Sequence, residues 1–155
     1  MTFRITGLPV ADFQSLFGLP EADLAARGVR RVTVDKPHAA PCRVTLDDAE
    51  PGETVLLLNF EHQPADTPYR SRHAIYVRET AREAFAAPGV APPALARRTL
   101  SVRAFDAGHM MIDADLVDGA ALPDLLEPML ARPETAYVHI HYARRGCFAA
   151  AATRV

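Results

Sequence analysis

The residues best able to do chemistry lie close together in Tyr137-Val138-His139-Ile140-His141-Tyr142, followed by Arg144-Arg145-Gly146-Cys147. His139 and His141 stand two apart in a strand pattern, so both imidazoles leave one face, beside Tyr137. Such a pair suits zinc, with His62, His73, His109 or Asp113 to complete the ligands. The plainer role is hydrogen bonding on a half-exposed strand. The two thiols are Cys42 and Cys147. Only a thiolate attacks, and positive charge beside it favours that form. Arg43 follows Cys42, and Arg144-Arg145 precede Cys147, so either thiol is a candidate nucleophile with His139 as its partner. Cysteine is equally at home as a small, inert core residue.

The arginines make a further set. Arg43, Arg78 and Arg103 lie on or beside strand patterns, and Tyr69-Arg70 shares a polar loop with His62. An inward-facing guanidinium must be paired, because a lone buried charge is costly. Its planar fork grips a carboxylate or phosphate with two bonds. This predicts an anionic small molecule held by Arg43, His62, Tyr69, Arg70, Arg78 and His139. Internal pairing competes with that reading. Arg103 and Asp113 become diagonal neighbours if their hairpin loop holds three residues, and Glu79 or Glu61 could serve Arg78. No glycine-rich phosphate loop, Gly-x-Ser-x-Gly elbow or His-Glu-x-x-His motif is present. Asp47-Asp48 reads as a turn, and Asp113 with Asp115 as alternate strand positions.

These side chains must be positioned by strands. Strand patterns occur at residues 3–5, 29–34, 42–46, 54–60, 74–78, 99–105, 110–117, 136–143 and 147–152. The run Val55-Leu56-Leu57-Leu58 is apolar on both faces, which predicts a strand in the middle of a covered sheet and the core of the domain. Residues 99–105 and 110–117 flank Asp106-Ala107-Gly108, a hairpin signal. Helical spacing appears at residues 10–17, 21–26, 80–85 and 122–131, where Pro128 should kink or shorten the last helix. Residues 86–96, rich in Ala and Pro, read as a long surface loop. The expected fold is α+β: a largely antiparallel, strongly curved sheet or half-barrel of about six or seven strands, with two or three helices on one side.

Composition narrows the class. A chain of 155 residues fits one domain, 1–155. Net charge is −2 with both signs interspersed, which provides no general field for nucleic acid. No run of 18 apolar residues predicts a membrane span. Met1-Thr2-Phe3-Arg4-Ile5 lacks the basic-then-apolar build of a signal peptide, so a cytoplasmic location is expected, with both thiols reduced. Lys36 is the single lysine among many arginines, a bias of GC-rich bacterial coding.

Several motifs together resemble the uncharacterised bacterial family DUF1203. They are Pro41-Cys42-Arg43-Val44, Asp48-Ala49-Glu50-Pro51-Gly52-Glu53, Tyr69-Arg70, Val77-Arg78-Glu79, Met111-Ile112-Asp113-Ala114 and His139 with Gly146-Cys147. The resemblance spans essentially the whole chain. It departs at His141-Tyr142, where the family pattern continues with Arg-Asn, so His139, Gly146 and Cys147 are the matching positions. It implies a single cytoplasmic domain and no particular activity or cofactor. Three function classes fit the residues. One is a binding domain for an anionic small molecule; the second is a thiol- or metal-assisted enzyme using Cys147 or Cys42 with His139. The third is an interaction domain, a homodimer formed through an edge strand such as residues 147–152.

Overall fold

The computed structural model describes residues 3–155; Met1 and Thr2, the head of the stretch read for a signal peptide, lie outside them. In chain order the strands are β1 (Phe3–Thr6), β2 (Arg30–Thr33), β3 (Thr54–Gln63), β4 (Ser71–Arg78), β5 (Ala86–Pro88), β6 (Thr99–Phe105), β7 (Met111–Asp118), β8 (Tyr137–Tyr142) and β9 (Phe148–Arg154). The α-helices are α1 (Glu21–Ala26), α2 (Pro93–Ala96) and α3 (Leu122–Ala131). The fold is α+β, as the patterning predicts. Six strands form one antiparallel sheet in the order β5-β1-β9-β8-β6-β7, and β2-β3-β4 form a second. Neither sheet closes into a barrel. No helix among the described residues is long and apolar enough to cross a membrane.

Period-2 alternation decides what the large sheet buries. Leu100, Val102 and Ala104 of β6 and Val138, Ile140 and Tyr142 of β8 face the main core. Leu122, Leu126, Met129 and Leu130 of α3 join that core, one helical stripe. Each fully buried aliphatic side chain contributes about 1.5–3 kcal/mol. The opposite face carries Ser101, Arg103 and Phe105, registered against His141, His139 and Tyr137. The end of β3 covers part of that face, where Gln63 Nε2 donates to Tyr137 Oη at 2.8 Å.

Several local expectations are revised. Residues 10–17 form two 3-10 turns, Val10–Asp12 and Gln14–Leu16, broken at Phe13, whose side chain anchors in a small core cluster. Residues 42–46 are not a strand. They make isolated bridges, Pro41 to Asp48 and Cys42 to Tyr76, around a tight turn with Leu46 at a positive φ of 56°. Residues 80–85 contain no helix. The segment read as a surface loop supplies β5 on the edge of the large sheet, and also α2, with Ala94 and Leu95 fully buried. α3 runs through Pro128 without ending there. β3 is central, but in the smaller sheet; the largest core belongs to the six-stranded one.

Two corrections bear on function. β9 lies between β1 and β8, hydrogen-bonded on both sides, so it offers no free edge for a homodimer. In the β6–β7 hairpin the register shifts between Ala104 and Phe105, so Asp113 opposes Ala104 rather than sharing a face with Arg103. Asp113 instead accepts from Arg132 at 2.8 Å, and Arg103 Nε donates to Ser101 Oγ.

Candidate functional site

Antiparallel pairing of β6 with β8 places the start of one strand beside the end of the other. Arg97-Arg98 lead into β6 and Arg144-Arg145 follow β8, and Ala143 N donates to Thr99 O at 3.1 Å between them. Two arginine pairs distant in sequence therefore meet at one end of the sheet. They line a cavity of about 360 Å³ with Arg43, Tyr142 and Cys147. Its walls include five arginines and no carboxylate.

Arg43 is the unusual member. It is 1% exposed and makes no ion pair among the described residues. Nε donates to Phe148 O at 2.7 Å, Nη1 to Pro41 O at 2.6 Å and Nη2 to Cys147 Sγ at 2.9 Å. Carbonyl oxygens meet the direction of its N–H groups but supply no full negative charge. Two of the five N–H groups keep no acceptor among the described residues. The guanidinium carbon lies 4.9 Å from the Tyr142 ring centroid, and that of Arg98 5.2 Å, both placed for cation–π attraction.

Arg98 is neutralised, donating to Asp48 at 2.6 Å, and Arg97 reaches the same carboxylate at 3.3 Å. Arg144 and Arg145 are exposed at the turn and have no acidic partner among the described residues. Tyr142 is buried, its hydroxyl has no hydrogen-bond partner among the described residues, and burial pushes its pKa up to about 12, so it stays a neutral phenol. Gly146 sits in the turn at φ 81°, a left-handed conformation glycine adopts without strain, and this brings Cys147 back beside Tyr142. Tyr142 N donates to Cys147 O at 2.9 Å.

His139 lies elsewhere. Because 139 and 142 differ by an odd step, they leave opposite faces of β8. His139 lines a second cavity of about 350 Å³ with His62, Gln63, His109 and Tyr137. Its ring lies 5.1 Å from each of Phe105, Tyr137 and Phe148 and 6.2 Å from His62. Burial, helped by His62 and Arg103, lowers its pKa to about 4. Burial likewise lowers His141 to about 3, against the opposing bond from Nδ1 to Gly146 O, and lowers His62. These imidazoles are neutral at pH 7, and Nδ1 of both His62 and His139 is buried without a partner among the described residues. No set of three or more His, Cys, Asp or Glu among the described residues is arranged to hold a metal ion.

The remaining sequence candidates are dispersed. Arg78 is gripped by Glu53 at 2.9 and 2.6 Å and by Asp47 at 2.8 Å. Arg70 pairs with Glu61 at 3.1 Å, and Tyr69 stands edge-on to Phe105 at 6.1 Å. Cys42 is fully buried and accepts from the N–H groups of Arg78 and Thr45 at 3.3 and 3.5 Å. Of the predicted ligand set, Arg43 alone lines the arginine cavity, joined there by Cys147. Arg97, Arg98 and Tyr142 were not among the expected ligands. Their signal was two Arg-Arg pairs abutting two strand patterns, which becomes spatial only once the antiparallel pairing is known.

A family model described as "Protein of unknown function (DUF1203)" matches residues 39–154, which include the whole lining of both cavities. No curated protein and no solved structure matches the chain.

Proposed function

The chain belongs to the DUF1203 family, and we propose that it binds an anionic small molecule in the arginine-lined cavity. The observation that carries this reading is Arg43, a guanidinium 1% exposed with no carboxylate within ion-pair distance among the described residues. A charge removed from water without a counter-charge costs several kcal/mol. Protein carbonyls and the Cys147 sulfur meet three of its N–H groups; an incoming carboxylate or phosphate would supply the missing charge and accept from the other two. Arg144 and Arg145, unpaired at the rim, would draw such an anion in and hold its outer oxygens. About 360 Å³ lies at the lower end of small-ligand sites.

The test is thermal melting of the full chain in inorganic phosphate and in citrate, against sodium chloride of equal ionic strength. At a hundred times the dissociation constant a ligand adds about 2.7 kcal/mol. A rise in melting temperature specific to the polyanions, lost in Arg144→Ala and Arg145→Ala together, is the expected result. A rise unchanged in that double variant would reflect general salt exclusion and remove the reading.

A further inference from the structure

We propose that Cys147 is a thiol that forms a mixed disulfide with an anionic low-molecular-weight disulfide bound in the same cavity. This rests on the anion-binding reading and adds a reaction to it. Cys147 is 6% exposed and is the one cysteine lining the cavity. Its sulfur accepts from Arg43 Nη2 at 2.9 Å, so a full positive charge meets the negative charge that an attacking thiolate carries. A second observation points independently to a ligand there. Tyr142, 5% exposed, also lines the cavity, and its buried hydroxyl has no hydrogen-bond partner among the described residues.

The chemical class follows from what surrounds the thiol. No histidine or carboxylate lines the cavity among the described residues, so the groups that most often relay protons are missing from its walls. Thiol–disulfide exchange needs neither, only a thiolate, access and a stabilised leaving thiolate. Arg144 and Arg145 suit a disulfide whose halves carry carboxylates, as in glutathione disulfide. In the step, Cys147 Sγ attacks one sulfur and a new S–S bond forms. The old S–S bond breaks, and the displaced thiolate leaves with its electron pair and takes a proton from solvent. Cys147 is oxidised and one half of the disulfide is reduced; the proton first held by Cys147 goes to solvent. Cys42 does not line the cavity, so no second thiol stands there to displace the bound half.

The experiment is intact-mass spectrometry of the full chain after exposure to glutathione disulfide, the neutral 2-hydroxyethyl disulfide or the dication cystamine. One glutathionyl group per chain is expected, mapped to Cys147 and removed by dithiothreitol. It should form faster than the cystamine adduct, and Arg144→Ala with Arg145→Ala should slow it about tenfold while sparing the neutral reagent. Addition at Cys42, no addition, or equal rates for glutathione disulfide and cystamine would overturn the proposal. Phosphate-dependent melting, run in parallel, separates the failures. If the rise persists without an adduct, the thiol proposal falls and the anion site stands; if both are missing, both fall.

Discussion

Arg43 concentrates the consequences of burial in one side chain. Lysine in its place could not reach Phe148 O, Pro41 O and Cys147 Sγ together, since its ammonium is a point charge without a fork. Arg43→Lys is expected to destabilise the protein by about 3 kcal/mol in urea unfolding, the loss seen when a buried charge loses its partners. Glu79 is a purely structural counterpart. Arg31, Gly18 N and Thr54 all donate to it, and the Arg31 hydrogen bond is the main reason its pKa falls from 4.5 to about 2. Its stabilisation is complete above pH 4.5 and is lost as pH falls toward 2. The histidines act in a higher window. Their folded pKa values lie below 6.5, so the unfolded chain binds protons first as pH drops. Stability should fall from pH 6.5 toward 4 for His139 and toward 3 for His141, by about 1.4 kcal/mol per unit for each. Urea unfolding at pH 7 and pH 5 should show a smaller loss in His139→Phe than in the parent. Equal losses would mean that this imidazole is not the acid-sensitive group.

Elements meet the site through backbone contacts that side-chain patterns do not announce. Gly7, just past β1, packs so closely on the loop of Arg43 that a Cβ would lie 2.1 Å from Val44 O. Leu8 N donates to Arg43 O at 2.8 Å in the same contact. Gly7→Ala must push that loop away, so it should weaken both stability and the phosphate-dependent rise in melting temperature. A loss of stability with the rise intact would show that the loop tolerates displacement. α3 predicts the reverse effect. Pro128 is exposed inside it, where proline removes a backbone hydrogen bond at a cost of about 3 kcal/mol. Pro128→Ala should raise the denaturation midpoint and leave anion binding untouched.

At the scale of the whole molecule, two faces of one strand have become two separate cavities. Tyr142 belongs to the arginine cavity and His139 to the histidine one, with the wall of β8 between them. The sequence on its own determined the α+β class, the β6–β7 hairpin, the α3 stripe and the wealth of polar chemistry around residues 137–147, because these depend on local periodicity and turn residues. It also marked Arg43 as a guanidinium needing a partner and Cys147 as a candidate nucleophile. Only the tertiary structure decided that these two touch each other. It also supplied Arg78 with Glu53 and Asp47, and brought Arg97-Arg98 beside Arg144-Arg145. Those outcomes depend on strand order and register, and a one-residue shift there, as at Ala104, changes which face a side chain occupies. No local pattern encodes that choice; it is made by which faces pack together.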